Sequence, residues 1–149
     1  MNGTIITSAV CRKLHSKYPD ISIYREHIED GFDEPSFFVW TSGLSDESAI
    51  HPRLIMRHRI EINYFPVHSS TSMYEDCLDI GMALLEHLSR IEVEIGETTK
   101  PVFGIHPSYT IVDDNMLQFS VEYRIEGVID DGSNVKSMGD LESEIAYKQ

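Results

Sequence analysis

The stretch RLIMRHRIEINYF, Arg53–Phe65, decides the fold. Leu54, Met56, His58, Ile60, Ile62 and Tyr64 fall on one side of it, and Arg57, Arg59, Glu61 and Asn63 on the other. Period-two alternation over this length marks a β-strand with one buried and one wetter face. Pro66 ends the strand, because proline has no N–H to give to the ladder.

Downstream, Ser72 and Glu75 have the spacing of a capping box, which opens a helix. Tyr74, Cys77, Leu78, Gly81, Leu84, Leu85, Leu88 and Ile91 form one broad apolar stripe, so this helix is expected to run to about Arg90. Gly81 inside it costs about 1 kcal/mol relative to alanine, which points to close packing on a sheet. Glu92–Lys100 is expected to be a loop around Gly96. Pro101–Val112 has the pattern of a strand, weakened or bulged at Pro107. Asp113, Asp114 and Asn115 form a tight turn into a second amphipathic strand, Met116–Glu126. Leu117, Phe119, Val121, Tyr123 and Ile125 share one face of it.

Upstream, Ile6, Val10 and Leu14 place a helix over Thr4–Lys17. A short strand follows at Ile21–Arg25, then an acidic connection, Glu26–Glu34, in which Gly31 supplies a turn conformation. Ser36–Thr41, SFFVWT, is a strand with two apolar faces. Such a strand lies centrally in a sheet or is covered on its second face, by its own chain or by another subunit. Ser42–Pro52 is polar and is expected to be a long hairpin loop.

The order α-β-β-β-α-β-β with short turns gives an α+β fold: a mostly antiparallel, four- to five-stranded sheet with two amphipathic helices packed on one face. From Gly127 the character changes. Asp130–Asn134 looks like a hinge, and Met138, Leu141, Ile145 and Tyr147 suit a short helix or a strand that pairs only on a partner. The expected organisation is a single domain over 1–127 and an acidic flexible extension over 128–149.

The chain has 149 residues, 41% hydrophobic and 25% charged, the composition of one soluble globular domain. No apolar run approaches the roughly 20 residues of a membrane span, and the first residues lack a secretory pattern, so cytoplasmic synthesis is expected. Cys11 and Cys77 are expected to be reduced, buried thiols in helices. The net charge of −13 argues against binding the outside of nucleic acid, which needs clustered Lys and Arg. It suits a surface that repels DNA or meets a basic partner.

The seven histidines show neither HExxH nor i, i+4 pairs on one helix face, and there is no CxxC, so no metal site is expected. His58 is expected to be a satisfied core histidine. Glu26–Glu34 lacks calcium-loop spacing. Phosphate loops, dinucleotide fingerprints and nucleophile elbows are all missing, and the chain is read as a non-enzyme without catalytic residues or cofactor. Phe38 and Trp40 stand out as candidate subunit-interface residues. Arg57 and Arg59 join them, being two of only 12 basic residues in a chain with 25 acidic ones. Ser45, Asp46 and Glu47 form a candidate assembly loop.

The series Pro19-Asp20-Ile21-Ser22-Ile23-Tyr24, then Gly31-Phe32, Pro35 and Phe37-Phe38-Val39, resembles the small tail terminator (tail completion) proteins of phages and defective prophages of Gram-positive bacteria. The resemblance continues through Arg59–Pro66, R-x-E-I-x-Y-F-P, and again through Asp114–Tyr123. It implies a structural virion protein of the tail, assembled in the host cytoplasm. It further implies a hexameric ring that caps the tail tube, stops its polymerisation and offers a surface for head–tail joining. The implied partners are copies of the chain, the tail tube protein, a head-completion or connector protein and, in contractile tails, the sheath protein. No catalytic residue, cofactor, metal, membrane or sequence-specific nucleic acid comes with it. The competing readings are another head–tail connector or tube-like phage protein and, in a different class, a small enzyme.

Overall fold

The computed structural model describes residues 5–25, 31–46, 53–68, 71–112, 115–129 and 135–137. Two helices and a mixed sheet make up an α+β fold. The elements are α1 (Ile5–Lys17), β1 (Ser22–Tyr24), β2 (Ser36–Asp46), β3 (Arg53–Phe65), α2 (Met73–His87), β4 (Arg90–Ile95), β5 (Thr98–Val112), β6 (Met116–Ile129) and β7 (Val135–Ser137). Six strands stand in the spatial order β1-β2-β3-β6-β5-β4, and β7 pairs with β6.

The central pair is β3 with β6, in register from Arg53↔Val128 to Tyr64↔Leu117. That register sets Ile60 beside Val121 and Ile62 beside Phe119 on one face, and all four are essentially removed from water. Both helices pack on this face. Ile6, Val10 and Leu14 of α1 and Cys77 and Leu84 of α2 join the same core cluster. α1 reaches both β2 and β4, although these lie far apart in the strand order. The sheet therefore curls around the helix layer.

Two glycines hold that layer down. A Cβ on Gly81 would meet the Tyr109 ring at 2.7 Å, so the helix glycine is a contact point with β5. A Cβ on Gly104 would lie 2.8 Å from the Leu88 carbonyl oxygen. There the C-terminal end of α2 finds its polar partners: the Gly104 N–H donates to the Ser89 oxygen at 2.8 Å, and the Tyr123 hydroxyl to the Leu88 oxygen at 2.7 Å. These bonds satisfy carbonyls that a helix end leaves open.

Several expectations are corrected. The sheet has more strands than four or five and is mixed, since β1 runs parallel to β2. Glu92–Lys100 is not a loop. It holds β4 and the start of β5, paired from Arg90↔Phe103 to Ile95↔Thr98 around Gly96 at φ 61°. Burial alternates strictly along Arg90–Ile95, the mark of a strand with one dry face. α2 ends at His87 rather than Arg90, and Tyr74 is 55% exposed, off the buried stripe. Ser72 is the N-cap residue, but its hydroxyl reaches Asp76 Oδ1 at 3.4 Å instead of a backbone N–H, so no capping-box bond forms there. β2 continues to Asp46, which shortens the Ser42–Pro52 connection; residues 47–52 lie outside the described residues.

The turn at Gly31, the bulge at Pro107 and the free thiol of Cys77 agree with expectation. Gly31 takes φ 80° and Asn115 φ 53°, both left-handed turn conformations. The register of β5 on β6 slips between Ile105 and Ser108, around Pro107, as a bulge. Both cysteines are free thiols, but only Cys77 is buried as expected; Cys11 is half-buried. Among the described residues, no helix is long and apolar enough to cross a membrane, and no group of three metal-ligating side chains forms.

Candidate interaction face

The face of the sheet turned away from the helices carries two distinct regions. The register dictates its composition: alternate residues of β3 and β6 that face away from the core are polar, so their cross-strand partners meet as charges and hydroxyls. Glu122 is the centre of the first region. Its side chain is only 9% exposed, and two arginines of β3 close on it. Arg57 Nε lies 3.3 Å from Glu122 Oε2, and Arg59 Nη2 3.3 Å from Oε1. Beside it, Glu61 Oε1 accepts from the Ser42 hydroxyl at 3.1 Å and from the Ser120 hydroxyl at 3.4 Å. A carboxylate this shielded needs such partners, because burying an unpaired charge is costly.

The second region is aromatic. Phe38 sits in a cluster with Tyr24, Phe32 and Phe65, with ring centroids 5.1–5.2 Å apart. Phe32 and Phe65 also meet each other at 5.2 Å. Phe32 arrives from the segment before β2, where the Tyr24 hydroxyl accepts from the Asp33 N–H at 3.0 Å. Next to the cluster, Trp40 is 39% exposed. It borders an apolar groove of about 350 Å³ together with Arg25, Phe38, Asn63, Phe65 and Met116.

The predicted interface residues thus separate. Phe38 and Trp40 share a face, but Phe38 is 4% exposed and held by its own chain, and Trp40 alone presents a large accessible surface. Arg57 and Arg59 are on the same face and both in ionic contact with Glu122, Arg59 through a hydrogen bond and Arg57 Nε by proximity without hydrogen-bond geometry. Ser45 and Asp46 belong to the end of β2, registered against Arg57 and Met56; Glu47 lies outside the described residues. Sequence reasoning missed Glu122 altogether. Its signal was present in the Q-S-E-R alternation of β6, but the register against β3 is needed to pair it with the arginines.

The helix side holds one anomaly. His58 is 2% exposed, and both its ring nitrogens are buried without a hydrogen-bond partner. The expected satisfied core histidine is in the core but not satisfied. Burial pushes its pKa below the ordinary value of 6.5. Burial likewise pushes the Tyr64 hydroxyl up to about 12, with the nearby Asp76 carboxylate adding to the effect.

A family model described as "Phage tail terminator protein" matches residues 5–135. The chain belongs to the phage tail terminator family. It is a structural protein of phage tails and not an enzyme. No curated protein matches the sequence. Among solved structures, a chain from the "Virion of native gene transfer agent (GTA) particle" is similar in fold, with a TM-score of 0.54 at 10% identity, covering 83% of this chain and 96% of that one. A second solved chain, with 83% of this chain and 95% of that one covered, superposes at a TM-score of only 0.39 and 12% identity, too loosely to bear on the argument.

Proposed function

We propose that this terminator acts as a ring, a hexamer, on the last ring of the tail tube. There it stops tube polymerisation and offers the surface on which the head joins. The match to the terminator family over residues 5–135 carries this reading. The sheet face that the helices leave uncovered supports it. A closed ring of identical subunits uses heterologous contacts, in which one surface meets a different surface of the next copy. Trp40 beside its apolar groove is the anchor for such a contact, since aromatic residues at the centre of a patch carry much of the binding energy. Phe38 stiffens that patch from beneath. Arg57 and Arg59 border it as a charged margin that fixes orientation more than affinity. Ser45 and Asp46 at the end of β2, with Glu47 next in sequence, are the assembly segment in this reading.

The ring-forming unit is the domain expected over 1–127, enlarged by the end of β6 and by β7, which pair in the same sheet. The partners are the tail tube protein, a head-completion or connector protein and, in a contractile tail, the sheath. Assembly takes place in the bacterial host cytoplasm. Light scattering on the purified chain, combined with electron microscopy after mixing with tail tube protein, tests the proposal. Rings of about six subunits, or tubes of fixed length with a cap at one end, are the expected result. A chain that neither forms rings nor binds tubes would overturn it.

A further inference from the structure

The sheet ends in two unlike flanks, β1 with β2 on one side and β5 with β4 on the other. The curl that brings α1 onto both β2 and β4 turns the outer faces of these flanks to different sides. The β2 flank carries a recess, the groove beside Trp40. Arg25 stands at that groove, exposed and donating to the Ser8 hydroxyl at 2.8 Å. Glu34 lines the adjoining pocket, which shares Phe65 and Met116 with the groove, and accepts there from the His68 N–H at 3.2 Å. The β5 flank carries a projection. Val102 belongs to the core, so alternation puts Pro101 and Phe103 on the outer face. Phe103 is 61% exposed. Arg90, its partner in the ladder, lies over its ring at 5.8 Å and gives Nε to Glu92 Oε1 at 2.9 Å.

We propose that Phe103 of one copy of the chain enters the Trp40 groove of the next. The pairing presupposes the ring proposed above and names the surface that meets the groove. A heterologous contact joins unlike surfaces, and here a recess and a projection stand on opposite flanks of one sheet. Phe103 in the groove meets the rings of Trp40 and Phe65, and aromatic pairs add specific geometry to the area they bury. The charges at the two margins match. The recess has a cation at Arg25 and an anion at Glu34; the projection has an anion at Glu92 and a cation at Arg90. Seating Glu92 toward Arg25 and Arg90 toward Glu34 pairs opposite signs, and the reverse seating sets like charges together. Such margin pairs fix orientation and reject wrong partners more than they add affinity. The outer side of α2 is a poorer occupant. Its Met82 is 62% exposed, but Asp79 and Glu86, three and four residues away, surround it with negative charge in a chain of net charge −13.

Two full-length variants that disable opposite partners test it: Phe103→Asp loses the projection and Trp40→Ala the groove. Light scattering and electron microscopy with tail tube protein follow assembly. Each variant alone is expected to form rings or caps about tenfold less than the unaltered chain. Mixed in equal amounts they are expected to give one-to-one dimers and nothing larger, because only one intact projection and one intact groove remain to meet. Met82→Asp is expected to assemble like the unaltered chain. A mixture that stays monomeric while the unaltered chain assembles, or a block by Met82→Asp and not by Phe103→Asp, would overturn the pairing and leave the ring standing. An unaltered chain that neither forms rings nor caps tubes would overturn both. A charge exchange keeps the test open should either variant unfold. Arg25→Glu alone and Glu92→Arg alone are each expected to lower assembly about tenfold, and the two together in one chain to restore it; a double variant no better than the singles would overturn the pairing.

Discussion

On the face of β3 turned toward the helices, Ile60 and Ile62 are buried between Val39, Phe119 and Val121. On the opposite face of the same strand, Arg57 and Arg59 grip Glu122 while Glu61 takes two hydroxyl donors. One strand thus serves two kinds of surface. The first is dry and aliphatic, and its energy comes from area removed from water, about 25 cal/mol per Å². The second is polar and partly wet, ending in an aromatic cluster with Trp40 at its margin. In the proposed ring, the stability of the monomer and its assembly belong to opposite sides of a single sheet. The difference also teaches that neither side is uniform: the dry face holds the unpartnered His58, and the wet face holds the shielded Glu122.

Substitutions on each face should fall in a definite order of effect on the monomer. Phe119→Ala empties the middle of the dry face and is expected to cost about 3–5 kcal/mol in denaturant unfolding. A cost below about 1 kcal/mol would show that the helix-side core is not where stability resides. Gly104→Ala is next, because its Cβ would press on the Leu88 backbone oxygen. The expected loss is about 2–3 kcal/mol, by the same measurement.

Glu122→Gln removes the charge that both arginines share. Arg57 and Arg59 side chains are 31% and 55% exposed, so water recovers part of the loss, and about 1–2 kcal/mol is expected. A double-mutant cycle with Arg57→Gln should show coupling; strict additivity would mean that the pair contributes nothing.

His58 responds to pH. Its folded pKa lies below 6.5, so the unfolded chain binds the proton more readily. Its contribution to stability is present above pH 6.5 and is lost as pH falls through the folded value. His58→Leu should flatten the fall of stability below pH 6.5, and at neutral pH it should be neutral or stabilising by about 1 kcal/mol, because two unpartnered buried nitrogens disappear. An unchanged acid profile would exonerate His58.

Much of this architecture was legible in the sequence, and the exceptions have physical causes. The alternation of β3 and of β6 shows which residues face the helices, and the place of Gly81 in the apolar stripe points to its contact with the sheet. Arg90–Ile95 escaped because its outward positions, Arg90, Glu92 and Glu94, give a polar stretch beside Gly96 the look of a loop, although Ile91, Val93 and Ile95 were the strand signal. The parallel pairing of β1 with β2 has no local signature, since three residues carry no direction. The candidate interaction face was legible by residue type only. That Phe38 is covered depends on Tyr24 and Phe32 from two other segments. That Arg57 and Arg59 already have a partner depends on register with β6, which no single strand can reveal.

Trp40→Ala should have the smallest effect on the monomer and the largest on assembly. The residue is 39% exposed, so the change should alter unfolding free energy by no more than about 1 kcal/mol. The direct test measures that unfolding curve and, in the same preparation, counts capped tail tubes by electron microscopy. A folded monomer that no longer forms rings or caps tubes is the predicted result. A variant that caps tubes as well as the unaltered chain would contradict the assignment of assembly to the uncovered face, and one that unfolds would show that this face belongs to the core.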